Sequence, residues 1–188
     1  QSGHFAVRFD LATGKLEATR NGEPFLVGAL ARATTATGER SSGEPGYRRT
    51  AEVRKVQGAL GAGEQLVLRC ADAKSQLDLE IIATLHAGRD ALIVEAVARN
   101  PSAKEPIVLR AIEPVRAVPA EGGGLHWPGV SKVLTNGFLY SDPGKVLDFA
   151  AAVFEPVRSW WNVAFHRGEG QPGLVVGYLE SGAALGRI

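Results

Sequence analysis

Between Tyr47 and Val118 the chain alternates apolar and polar residues with a period of two, and turn residues interrupt the alternation at intervals. A period of two indicates half-buried β-strands, because successive side chains of a strand point to opposite faces. Helical periodicity is nearly absent. The pattern therefore restricts the chain to an all-β class, a sandwich or a barrel, and we predict a two-layer antiparallel β-sandwich.

Eight strands are predicted, at residues 5–9, 15–20, 25–35, 47–56, 65–71, 77–85, 91–99 and 107–118. In strand 77–85 the leucines and Ile81 form one face, and the polar face that holds Glu80 and Thr84 is expected to be wet. Strand 91–99 is almost entirely apolar, which predicts a central position with both faces covered. Pro114 and Pro119 place the last strand at a sheet edge or a bend, because proline donates no ladder hydrogen bond.

Composition limits the partners of the chain. Its 188 residues fit one domain, and 21 basic against 20 acidic residues leave a net charge of +1, so no nucleic-acid partner is indicated. The longest apolar run, residues 149–154, is too short to span a membrane, and no membrane partner is expected. The chain lacks Met and stops within a strand-like stretch. We therefore expect residues 1–188 to be a single β-sandwich domain cut from a longer chain; cytoplasmic and exported locations both stay open.

No motif of the sequence indicates a cofactor or a metal. Cys70 is the only cysteine and alternates in step with Leu66 and Leu68, which predicts a buried, inert thiol. The four histidines are scattered, so no metal site is expected. The glycines from Gly58 to Gly63 lie between two strands with no helix following, which predicts a hairpin turn and not a phosphate-binding loop.

Strands 77–85 and 91–99 carry carboxylates that are candidates for catalytic acids. Asp78 and Glu80 would lie about 6.6 Å apart along one face, a separation that glycosidases use. A solvated strand face produces the same pair, and we favour that structural interpretation. Glu95 is a single carboxylate in an apolar strand, and we expect it to form an ion pair with a neighbouring strand. No catalytic residue is therefore assigned.

Residues 157–166 carry the candidate site. If they are extended, one row of side chains is apolar and the other is rich in hydrogen-bonding groups. An indole flanked by such groups suits the apolar face of a sugar ring, and packing of that indole under a loop or against another domain is the alternative. The predicted core row is Val157, Trp161, Val163 and Phe165, and the predicted carbohydrate-binding residues are Arg158, Trp160, Asn162 and His166.

Two segments resemble a known family. Residues 173–180, Gly-Leu-Val-Val-Gly-Tyr-Leu-Glu, with residues 184–188, are similar to the closing strands of the N-terminal β-supersandwich of α-galactosidases of glycoside hydrolase family 36. Residues 133–142 resemble the Asn-Gly-aromatic segment of that domain through Asn136, Gly137 and Phe138. The resemblance implies a galactose-mutarotase-like supersandwich that supports a following (β/α)₈ barrel, which carries the catalytic aspartates.

The resemblance implies a non-catalytic domain whose expected partners are the barrel of the same polypeptide and, as a further option at the rim of the site, carbohydrate. A free-standing carbohydrate-binding module is the first alternative. An aldose mutarotase is the second, since supersandwich folds also occur among those enzymes, but Asn162–His166 reverses the order of their Asn-His pattern. A homo-oligomer that covers an apolar face also stays open.

Overall fold

The computed structural model describes residues 4–72, 74, 76–102, 104–137, 143–152, 159 and 161–178. The chain divides into two units, Gln1–His126 and Trp127–Ile188, which we describe separately. Almost every regular element is an antiparallel strand, so the all-β prediction is confirmed. The one α-helix in the described part of the chain, α1 (Phe149–Ala152), has four residues, and no described helix has the length and apolarity of a membrane span.

The first sheet of the N-terminal unit is built around its longest strand, β3. The first half of β3 pairs with β2 and β10, its second half pairs with β4 and β9, and β1 extends the sheet beyond β2. A 3₁₀ turn, Pro119–Glu121, precedes β10. The strands of this sheet are β1 (Phe5–Asp10), β2 (Lys15–Arg20), β3 (Glu23–Thr35), β4 (Gly38–Ser41), β9 (Leu109–Arg116) and β10 (Gly124–Leu125).

The second sheet of this unit is a four-stranded meander. Its order follows the chain: β5 (Tyr47–Gly58), β6 (Gly61–Asp72), β7 (Asp78–His86) and β8 (Leu92–Arg99). The pairing of β5 with β6 continues to Gly58 opposite Gly61, so Ala59 and Leu60 form a two-residue turn. The predicted hairpin at these glycines is confirmed.

The core of the N-terminal unit lies between its two sheets. One face of the meander is buried along β7 and at Leu68 and Cys70 of β6, and the inward residues of β3 are small alanines that are at most 3% exposed. Arg20 of β2 forms an ion pair of 2.7 Å with Asp90, next to β8, which joins the two layers. The buried residues of the meander face are Leu68, Cys70, Leu79, Ile81, Ala83 and Leu85. The predicted two-layer sandwich is confirmed.

Two expectations about the meander are wrong. The polar face of β7 is not wet: Glu80, Thr84 and His86 are all at most 9% exposed, because β7 has a strand on each side whose side chains cover them. Strand β8 is not central. It pairs with β7 and, among the described residues, with no strand on its other side, and none of its residues is buried. An apolar run therefore did not indicate coverage of both faces.

Strand β9 lies where its prolines predicted. Within the described residues it pairs with β3 alone, so it forms an edge of the first sheet. Its register with β3 shifts between Glu113 and Arg116, around Pro114. The shift follows from chemistry, because the proline nitrogen has no hydrogen to donate to β3.

A row of alternating charges crosses the polar face of the meander. Glu52 of β5 accepts from Arg54 and, at 3.0 Å, from Arg69 of β6. Arg69 also reaches Glu80 of β7 at 3.0 Å, and Arg99 of β8 lies 3.4 Å from the other oxygen of Glu80. We call these five residues the charge ladder. It gives the buried Glu80 carboxylate two cationic partners, as a buried charge requires.

Arg49 fastens two loops of the N-terminal unit. Its guanidinium donates to the carbonyl oxygens of Ser42 at 2.7 Å, Ala12 at 3.1 Å and Glu44 at 2.5 Å. The Ser42 hydroxyl, which is fully buried, donates to the Gly14 carbonyl at 2.8 Å and accepts from a backbone N–H of β3. These bonds satisfy carbonyl groups that no strand pairs.

The C-terminal unit contains a third antiparallel sheet. Its order is β12-β11-β13-β14, with β11 (Lys132–Thr135), β12 (Val146–Asp148), β13 (Asn162–His166) and β14 (Leu174–Gly177). One face of this sheet is buried at Val133, Thr135 and Val163. The internal contacts of the chain define two units, and the expectation that residues 1–188 form a single domain stays a prediction.

The Cys70 thiol is predicted to resist modification in the folded chain. It is 1% exposed, and burial raises its pKa to about 11, so about one thiol in a thousand is ionised at pH 8. We expect Ellman's reagent to react with the native chain far more slowly than with the chain in guanidinium chloride. A native reaction rate equal to the rate of the denatured chain would contradict the burial of this thiol.

The same thiol predicts a pH dependence of stability. Because unfolding lowers the thiol pKa towards its usual value of about 8.5, the free energy of unfolding should decrease as the pH rises from about 8.5 to about 11.

Candidate functional site

The structure describes two of the four predicted carbohydrate-binding residues. Asn162 and His166 are the first and last residues of β13, and both are exposed. Arg158 and Trp160 lie outside the described residues, as does Val157 of the predicted core row. Val163 is buried on the opposite face, and Phe165 is half-buried there. The predicted alternation is therefore present from Asn162 onwards.

The alternation does not extend back through Trp161. This residue is half-buried in a bend and has φ of 68°, in the left-handed region, where an extended strand cannot continue. The prediction of an extended segment that includes Trp161 is wrong. Because the strand is interrupted at Trp161, the face on which Asn162 lies no longer predicts the face of Trp160.

A buried serine, which the sequence analysis did not single out, holds this bend. The Ser159 hydroxyl is 1% exposed, accepts from the Asn136 N–H at 2.6 Å and donates to the Asn162 carbonyl. It thereby joins the end of β11 to the start of β13. The Asn136-Gly137 pair of the family resemblance and the predicted Asn162 are thus neighbours. Only the position of Ser159 before a strand could have indicated this role.

The exposed face of the third sheet carries a row of aliphatic side chains. Strand register aligns Val146, Leu134, Ala164 and Val175 across all four strands. Val146 is 64% exposed, Leu134 48% and Val175 69%. The row lines a groove of about 350 Å³, whose wall also includes Lys132 and His166. We call this surface the open face.

Polar groups lie at both ends of the open face. Asn162 is at one end, and at the other the register aligns Asp148, Lys132 and His166 on adjacent strands. The His166 Nδ1 accepts from the Gly168 N–H at 3.2 Å, which leaves Nε2 pointing away from that bond. Four residues of a strand span about 13 Å. Asn162 and His166 are therefore too far apart to hold one sugar ring between them.

The open face lacks the chemistry of a glycosidase centre in its described part. Asp148 is the one carboxylate that the register of the four strands places there, whereas such a centre needs two. Asp78 and Glu80 are both engaged elsewhere: Asp78 accepts from the Asp72 N–H at 2.8 Å, and Glu80 belongs to the charge ladder. No three His, Cys, Asp or Glu side chains of the described residues cluster as metal ligands.

Glu95 differs from its prediction. It is exposed on β8, opposite Ile82, and makes no ion pair within the described residues. The expectation of a buried, paired carboxylate depended on a central position for β8. Because β8 is an edge strand, the Glu95 side chain reaches water and needs no cationic partner.

No protein-family model matches the chain, no curated protein matches its sequence, and no solved structure matches its fold. The resemblance to the α-galactosidase supersandwich therefore depends on the quoted sequence segments alone.

Proposed function

We propose that this chain is a non-catalytic β-sandwich region of an α-galactosidase-like glycoside hydrolase, and that it supports the catalytic barrel through the open face. The observation that carries the proposal is the row of Val146, Leu134, Ala164 and Val175, which is aliphatic on every strand and exposed to solvent at its valines and its leucine. Contiguous apolar surface of this kind is typical of sites that contact another protein surface.

The arrangement of the open face agrees with a contact between domains. Protein interfaces have an apolar centre surrounded by polar groups that remain partly hydrated. Here the aliphatic row is the centre, and Asn162 at one end with Lys132, Asp148 and His166 at the other supply the rim. The supersandwich type and the barrel itself are parts of the proposal that come from the family resemblance.

The proposal predicts a specific effect of a charge in the aliphatic row. We expect the purified chain to bind the apolar dye anilinonaphthalene sulfonate, and Val175→Asp to reduce the dye fluorescence severalfold because the aspartate interrupts the row. Val53→Asp is the matched control: Val53 is 66% exposed, against 69% for Val175, and lies on β5, outside the open face. Equal fluorescence of the chain and Val175→Asp would refute the assigned role of the open face.

An activity assay and the gene test the rest of the proposal. The purified chain should not hydrolyse 4-nitrophenyl α-galactoside, and the reading frame downstream of the Ile188 codon should encode a (β/α)₈ barrel. Turnover that responds to substitutions in this chain would contradict the non-catalytic assignment. A downstream sequence without alternating strands and helices would contradict the parent class.

A carbohydrate-binding module is the second candidate, because Asn162 and His166 are exposed at the two ends of one face of β13, a spacing that suits several linked sugars and not a single ring. This candidate predicts binding of raffinose or a longer oligosaccharide in the micromolar to millimolar range by calorimetry, and much weaker binding of galactose. Binding should weaken in Asn162→Ala and in Trp160→Ala, whereas Asn100→Ala, on a turn of the N-terminal unit, should bind normally. Absence of heat with every glycan would eliminate the candidate.

A further inference from the structure

Strand β5 has an edge that no described strand covers. It pairs with β6 along its whole length of 12 residues, about twice the usual length of a strand, and forms the end of the meander. From Thr50 to Lys55 every residue is exposed. An edge strand of this kind offers unpaired backbone N–H and C=O groups to any extended chain that can lie beside it.

The register identifies which backbone groups of β5 point outwards. The Ala87 N–H donates to the Ala62 carbonyl at 2.9 Å, so even-numbered residues of β6 bond β7 and odd-numbered ones bond β5. The odd residues of β6 lie opposite even residues of β5. The outward groups therefore belong to the odd residues of β5, which include Ala51, Val53 and Lys55.

The charge of β5 indicates which kind of chain can pair with its outer edge. Arg48, Arg49, Arg54 and Lys55 against Glu52 give the strand a formal charge of +3. A second copy of β5 would bring like charges together, and such cross-strand pairs are destabilising. An acidic segment would meet complementary charge, which favours association. The two faces also differ, since one presents Arg48 and Arg54 with Glu52 between them, and the other presents Ala51 and the 66% exposed Val53, with Lys55 at its end.

We propose that the outer edge of β5 binds an extended acidic peptide segment by strand addition. The segment alternates carboxylate and aliphatic side chains. Its backbone bonds the outward groups of Ala51, Val53 and Lys55, its carboxylates lie on the Arg48 face, and its aliphatic side chains lie on the Val53 face. This mode takes its affinity from main-chain hydrogen bonds and its selectivity from alternate side chains. It is independent of the open face.

The test uses fluorescence anisotropy with a labelled peptide of four Glu-Val repeats. Val53→Pro deletes one outward N–H and leaves the bonds to β6 intact, and an exposed edge tolerates proline. We expect Val53→Pro to weaken binding about tenfold, or roughly 1.4 kcal/mol. Val53→Thr keeps the N–H and should weaken binding by only about twofold. Slow modification of Cys70 in both variants would show that the sandwich is intact.

The side-chain part of the proposal has its own controls. A peptide of four Lys-Val repeats should bind far more weakly than the Glu-Val peptide, and Arg48→Glu should weaken the Glu-Val complex and its dependence on salt. Three results would overturn the proposal: no binding of the Glu-Val peptide at millimolar concentration, equal binding of the Lys-Val peptide, or equal affinity for the original chain and Val53→Pro.

Discussion

Replacement of Gly14 by alanine should lower the free energy of unfolding of the N-terminal unit by about 3 kcal/mol or more. Gly14 has φ of +70°, which alone costs an alanine roughly 1 kcal/mol. The added Cβ would lie 2.0 Å from the Ser42 carbonyl oxygen and 2.7 Å from Arg49 Nε. The loop at Ser42 must therefore move, which breaks hydrogen bonds each worth about 1 kcal/mol net.

Gly22→Ala is the matched control for Gly14→Ala. Gly22 also has positive φ, +84°, but an added Cβ would meet no atom within 4 Å. We expect Gly22→Ala to cost about 1 kcal/mol, the conformational part alone. Urea unfolding followed by circular dichroism measures the free energy of unfolding of both variants. The modification rate of Cys70 reports on the N-terminal unit, to which both glycines belong. Equal losses for the two variants would contradict the assigned clash with the Ser42 loop.

Leu68→Ala should be the most damaging truncation in the core of the meander. Leu68 is 0% exposed on the face that packs between the sheets, directly opposite Ile81. Removing three carbon atoms from a filled site costs their transfer free energy and leaves a cavity, about 2–5 kcal/mol in total. Urea unfolding measures this loss of free energy. The urea concentration at the midpoint should decrease, whereas the slope of the unfolding free energy against urea concentration should not change, because the unfolded chain exposes nearly the same surface.

The same truncation at an exposed leucine provides the reference. Leu109 of β9 is 45% exposed, and Leu109→Ala should change the free energy of unfolding by no more than about 0.5 kcal/mol. A loss at Leu68 no larger than that at Leu109 would show that the core does not lie between the two sheets.

The sequence predicted the strands of the N-terminal unit well, because each has a clear period of two and ends at turn residues. Eight predicted strands correspond to β1, β2, β3 and β5–β9, with bounds that differ by up to four residues. The short strands β4 and β10 lie outside the eight predicted strands, since two to four residues carry too little periodicity to be recognised.

What the sequence failed to predict depends on neighbours that are distant in the chain. The burial of Glu80 follows from its pairing with Arg69 and Arg99 on adjacent strands, and the edge position of β8 follows from strand order. At the candidate site, alternation placed Asn162 and His166 correctly on one face of β13. It failed at Trp161, because a left-handed φ interrupts a strand without leaving a mark in the residue pattern.

The charge ladder also bears on how the meander acquires its alignment during folding. If β7 slipped by one residue against β6, Glu80 would turn towards the apolar interior and lose both arginines, while Ile81 would leave the core for the face of the charge ladder. Such a misaligned meander would be destabilised in two ways. The Glu80 carboxylate would be buried without its arginines, and aliphatic side chains of β7 would be displaced from the core. We therefore expect the charge ladder to favour the native alignment of β7 with β6 over a slip of one residue.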